Sequence, residues 1–183
     1  MGVFGRATTV RGIGLSEIDF DGATDTVWES YLLDRLLDPE GTNDGAGIAP
    51  SAAALYVFND DGEQAVLGGA LVIRDPDTYE DAAEFFATDA DALFELVDGE
   101  GTGAMVAFGG TKYRIAERGE ADGGKGSALP VVRLHGEGEG IVLVGVPGIV
   151  VAAYWDEERK NTPDAATRAA TACAQALRAD LAL

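Results

Sequence analysis

The rhythm of apolar and polar positions changes period several times along the chain, and each change predicts an element. Val27, Trp28, Tyr31, Leu32 and Leu36 recur at helical spacing. Thr26-Val27-Trp28-Glu29 places a hydroxyl at the cap and a carboxylate three residues on, so a helix is expected over 26–37. Pro39 and the Gly/Asn/Asp cluster through Gly47 stop it. Residues 53–58 and 64–67 flank Asn59-Asp60-Asp61-Gly62 and read as a hairpin. Leu71-Val72-Ile73 either lengthens the second strand or forms another, and Asp75-Pro76-Asp77 ends it. Short helices are expected around 79–86 and 89–97, the second with Leu93, Phe94 and Val97 on its inner face.

A strand-rich stretch follows. Segments 104–108, 112–116, 131–134, 141–146 and 149–155 are apolar or alternating and are separated by glycine-rich turns, as in an antiparallel meander. The last helix has the clearest start: Thr162 as N-cap, Pro163 as first helical residue and Asp164 complementing the helix dipole. Ala166, Ala169, Ala170, Cys173, Ala176, Leu177 and Leu181 make a narrow apolar stripe, small enough for close approach to a sheet. The order predicts an α+β domain. One mainly antiparallel sheet would carry the first and last helices on one face and the short middle helices on the other. Residues 1–25 read as an extension that orders only in part, and residues 26–183 as a single domain without internal repeats.

Charge narrows the functional classes. The chain has 32 acidic and 13 basic residues, a net charge of −19. Such an excess repels itself at low salt and destabilises the compact state. Molar salt shortens the Debye length to about 3 Å and removes that penalty. The acids are spread along the whole chain, which favours adaptation to a salty cytoplasm over the rival reading, an acidic surface for a basic ligand. No basic stripe exists to release phosphate counterions, so nucleic acid is not an expected partner. Met1 to Gly14 has no apolar core like that of a signal peptide. No apolar run is long enough to span a bilayer, since Pro147-Gly148 interrupts the segment from Gly140 to Tyr154. Membrane insertion is not expected, and a cytoplasmic location is.

Candidate chemistry is sparse, and no cofactor or metal is expected. His135 is the only histidine, and no G-x-S-x-G motif accompanies it. It reads as a partly exposed turn residue, the alternative being the base of a small hydrolase. Cys173 lies in the apolar stripe and reads as inert core; a lone cysteine permits no internal disulfide. The pairs Asp60/Asp61 and Glu157/Glu158 read as solvated surface in so acidic a chain. Asp122-Gly123-Gly124-Lys125-Gly126-Ser127 lacks P-loop spacing and reads as a turn.

Three fragments together carry a resemblance: Trp28-Glu29-Ser30-Tyr31-Leu32, Gly109-Gly110-Thr111-Lys112-Tyr113-Arg114-Ile115, and Tyr154-Trp155-Asp156-Glu157-Glu158 followed by Thr162-Pro163. In this order the chain resembles the profilin family from about Thr26 onward, as an archaeal, halophile-type member. The resemblance implies a profilin-like fold and a non-enzymatic, monomeric, cytoskeleton-associated binder of actin or an actin homologue. By position it implies an actin-binding face of Lys112, Arg114 and Glu117 on one strand. Thr162, Pro163, Asp164, Thr167, Arg168 and Thr171 would join them from the last helix. Arg133 is added across the unaligned loop after Gly119. It also implies that Trp28 and Tyr31 form the polyproline platform, since they sit three apart on one helix. The family's other aromatics are replaced here by Gln64-Ala65-Val66 and by Ala176 and Leu177, so binding of proline-rich peptides is expected to be weak or lost. Basic phosphoinositide patches are depleted as well. A roadblock- or longin-type scaffold regulating a small GTPase shares a similar layered sheet and is the alternative.

Overall fold

The longest aliphatic runs become strands covered on both sides. Strand β8 (Glu139–Val146) and strand β9 (Ile149–Asp156) are buried almost throughout, as expected of strands lying between two layers. The computed structural model describes residues 9–10, 13–14, 35–36, 52–60, 65–73, 95–99, 105–108, 111–159 and 161–183. The other described strands are β1 (Thr9–Val10), β2 (Ile13–Gly14), β3 (Ala52–Asp60), β4 (Ala65–Ile73), β5 (Met105–Phe108), β6 (Thr111–Asp122) and β7 (Ala128–His135). Helix α1 (Pro163–Leu181) follows a short 3-10 turn at Glu157–Arg159. Seven strands form one antiparallel sheet in the order β4-β3-β9-β8-β7-β6-β5. The α+β class expected from the chain is therefore observed.

Alternation sorts the core into two layers. Ala53 and Leu55 of β3, Val142 and Val144 of β8 and Val151, Ala153 and Trp155 of β9 face α1. Ala54, Tyr56, Ile141, Leu143, Val150, Ala152 and Tyr154 face the opposite way. The α1 layer also contains Leu36 from the helical pair 35–36. The opposite layer receives Leu96 and Val97 from the helical turn at 95–98. Ala166, Ala170, Cys173 and Ala174 let α1 lie close on β8 and β9. Ala174 is buried and Ala176 only half-buried, a small correction to the expected stripe. The pair β1–β2 lies within residues 9–14, with β1 against α1.

Several boundaries differ from expectation. Leu71-Val72-Ile73 continues β4. Strand β3 runs through Asn59 and Asp60, with Asp60 opposite Ala65, so those two residues are strand and not turn. Strand β6 runs to Asp122, well past the expected end at Ala116, and no loop follows Gly119. Its outer half is Glu117-Arg118-Gly119-Glu120-Ala121-Asp122, too polar to show a strand period, and backbone pairing with β7 forms it regardless. The cap at 26–29, Trp28, Tyr31, Gln64 and the helix expected at 79–86 lie outside the described residues.

One irregularity orients the site. Ile115 pairs with Leu134 and Glu117 with Arg133, so Ala116 is an extra residue in β6. A bulge of this kind reverses the facing of every side chain beyond it. Tyr113 and Ile115 pack into the layer opposite α1, whereas Ala121 packs into the α1 layer.

Candidate functional site

Helix α1 rests on β8 and β9, and Met105 of β5 with Lys112 and Arg114 of β6 forms an exposed, open strip on the same side of the sheet. Most of the sequence-derived candidates meet beside this open strip. Tyr113 is buried in the opposite layer, so its neighbours Lys112 and Arg114 project on the α1 side, and both are exposed. The bulge brings Glu117 to the same side. Arg133 of β7 then bridges two carboxylates, Glu117 at 3.3 Å and Asp164 of α1 at 3.0 Å. This triad joins β6, β7 and the first turn of α1. Arg133 is three-quarters buried, while both carboxylates are largely exposed. Solvent screening therefore limits the pairs to about 1 kcal/mol or less each.

The start of α1 follows its sequence signals. Thr162 accepts a hydrogen bond from the Ala165 amide at 3.2 Å, and Pro163 occupies the first turn. The Thr167 hydroxyl donates back to the Pro163 carbonyl at 2.7 Å. Thr171 Oγ1 is buried without a partner. Gln175 donates to the Asp122 carbonyl at the far end of β6. Asp164 and Gln175 thus mark the flank of α1 that looks toward β6 and β7. Arg168, four residues on from Asp164, follows it on that flank and is exposed.

The same side of the sheet carries residues that lie outside the implied actin-binding set. His135 closes β7 as a strand residue, half-buried, in place of the expected turn position. Its ring meets Trp155 edge-on, with centroids 4.9 Å apart. The indole can lie there because Gly140 has no side chain: a Cβ would fall 2.5 Å from the Trp155 ring and collide with the Leu134 carbonyl. Pairing places Met105, Arg114, His135, Gly140 and Trp155 in one row across β5 to β9. Met105 is 54% exposed, although Val106 beside it packs into the layer opposite α1. Only strand pairing reveals this row; the residues are far apart in sequence, and no motif joins them.

Titratable groups in the core are shifted by burial. Burial pushes the Cys173 thiol up to about 12, with Arg35 opposing the shift. The Tyr154 hydroxyl, 3.1 Å from that of Tyr56, is raised well above its ordinary value, first by burial and then by Tyr56. Both findings fit structural roles. A cavity of about 350 Å³ opens between the β6–β7 and β8–β9 turns, lined by Leu129, Pro130, Val146, Ile149, Asp98 and Arg178 among others. Ser127 at its wall donates to the Gly124 carbonyl at 3.3 Å, and Arg178 donates to the Leu183 carbonyl at 3.1 Å. His135 does not line it. The expected turn at 122–127 is present, with Gly124, Lys125 and Gly126 all at positive φ, which only the glycines adopt without strain. No cluster of His, Cys, Asp and Glu among the described residues could hold a metal. No helix among them is long and apolar enough to cross a membrane. Comparison with known proteins finds no matching family model and no matching curated protein.

Proposed function

We propose that the chain is a profilin-like, non-enzymatic binder of monomeric actin or an actin homologue, acting at the cytoskeleton of a salt-adapted cytoplasm. The protomer docks on the open half of the α1-bearing face and is thereby withheld from filament assembly. One observation supports this reading above the others: Lys112, Arg114, Glu117, Arg133 and Asp164 come from two strands and a helix, yet all lie on one side of the sheet beside α1. Lys112, Arg114 and Arg168 make no ion pair among the described residues, in a chain with only three lysines. They are the available cations of the face, whereas Arg133 is already occupied and serves to hold α1 against β6 and β7. Thr162 and Pro163 fix where the first turn of α1 begins, and Thr167 and Thr171 contribute to its flank. Trp28 and Tyr31 lie outside the described residues, so the polyproline platform adds nothing to the argument.

The test is filament pelleting of a purified actin homologue in about 1 M KCl, a salt level that screens the net charge. Adding the protein should move actin from pellet to supernatant. Lys112→Glu with Arg168→Glu should weaken that effect about tenfold or more. Sequestration that survives the double reversal removes the proposed face. The complete absence of sequestration removes the function.

A further inference from the structure

We propose that the cavity between the β6–β7 and β8–β9 turns binds a small aliphatic monocarboxylate, with Arg178 as the receptor for its charge. The site is separate from the docking face proposed above: none of Lys112, Arg114, Glu117, Arg133, Asp164 and Arg168 lines it. Its volume of about 350 Å³ lies within the range of small-molecule pockets, about 300–1,000 Å³. Leu129, Val146 and Ile149 reach it from the α1 layer, and Val97 and Val150 from the opposite layer. The void therefore lies at the turn end of the sheet and is bounded by both layers. Two glycines set its walls. A Cβ at Gly145 would fall 2.5 Å from Val97 Cγ1 and 2.8 Å from Pro130 Cγ, so the bare backbone lets Val97 and Pro130 form one wall. A Cβ at Gly123 would fall 3.0 Å from Arg178 Nη1 and 3.0 Å from Leu129 Cγ, so Gly123 seats the guanidinium beside the apolar lining.

Chemistry selects the ligand. The Arg178 Nε is held by the Leu183 carbonyl at 3.1 Å. Its two terminal nitrogens meet no acceptor among the described residues, and no carboxylate there pairs with them. A chain with 32 acidic residues thus leaves a half-buried arginine without an acid beside an apolar void. The free edge of the guanidinium presents two parallel N–H groups, which match the two oxygens of a carboxylate. Asp98 stands exposed on the wall and disfavours a second negative charge, so a monoanion fits where a phosphate dianion does not. The apolar lining requires an aliphatic body, whose burial contributes to binding in proportion to the area removed from water. Salt screens a partly buried charge pair much less than an exposed one, so the contact survives in a salty solution.

The experiment titrates the full chain, labelled with carbon-13, in about 1 M KCl and follows the methyl resonances by NMR. The probes are octanoate, octanol, octylamine and octyl phosphate, which share one aliphatic body and differ in charge. Octanoate should shift the methyl signals of Leu129, Val146 and Ile149 saturably and bind about tenfold or more tightly than each of the other three. Arg178→Gln should lower octanoate to the level of octanol and leave octanol binding as it was. Arg178→Lys keeps the charge without the fork and should retain part of the preference. Thermal unfolding of both variants reports whether the fold is intact, and the ranking of the four probes on the wild-type chain decides the matter if Arg178→Gln does not fold. Equal binding of all probes, a winning octylamine or octyl phosphate, shifts confined to methyls outside the cavity, or a folded Arg178→Gln that still prefers octanoate would each overturn the inference.

Discussion

The two halves of the sheet solve different problems. In β8 and β9 every residue from Gly140 to Val146 and from Ile149 to Trp155 is buried, and the sequence there is aliphatic apart from Gly, Ala, Tyr and Trp. In β6 only Tyr113 is fully buried, and charged residues alternate with small ones. The first region carries stability because two layers exclude water from it. The second keeps its backbone pairing on both sides of the Ala116 bulge while most of its side chains stay exposed. The contrast shows that strand geometry and burial are separable here: neighbours hold the outer strands in register, and the core pays little attention to their side chains.

Substitutions can test this division, beginning where the effect should be largest. Gly140→Val forces a branched side chain into the Trp155 indole and a backbone carbonyl that cannot move aside. A loss of about 4 kcal/mol or more is expected by urea unfolding in molar salt. Loss of the His135–Trp155 contact should appear as a change in tryptophan emission. Leu177→Ala, which empties a fully buried position of α1, should cost about 2–5 kcal/mol, whereas Lys112→Ala on the open half should stay within about 0.5 kcal/mol. Comparable losses at the two positions would erase the distinction between the halves.

The last test concerns pH dependence, and its effect is confined to alkaline pH. Native Cys173 holds its proton up to about pH 12, while the unfolded thiol releases it near 9. The unfolded state therefore binds fewer protons between those values, and stability falls as pH rises through that window. This contribution is fully present below the unfolded value. Cys173→Ala should flatten the alkaline limb of a stability–pH curve relative to wild type, and an unchanged limb would show that the thiol does not titrate there.

Legibility in the sequence followed the same division. The buried half was readable because burial imposes long aliphatic runs, and because Thr162-Pro163-Asp164 announces α1 through local chemistry alone. The outer half of β6 was not, since Glu117 to Asp122 bears no apolar period and owes its conformation to pairing with β7. For the site, Lys112, Arg114, Glu117, Arg133 and Asp164 are what the profilin resemblance implies by position. The ion-pair triad and the Met105–Trp155 row depend on register, which distant strands set together. Gly136 beside His135 suggests a break and hence a turn residue, yet His135 is the last residue of β7 and its ring meets Trp155 from across the sheet.

Ala116 has a consequence for how this ribbon tolerates change in length. Beyond it, Glu117 reaches Arg133 on one side while Arg118 donates to the Leu96 carbonyl on the other. Deleting that one codon would turn the following residues upside down, sending an acid toward the aliphatic layer beneath Leu96 and stripping both anchors at once. A neutral, exposed alanine thus protects two distant attachments simply by being counted.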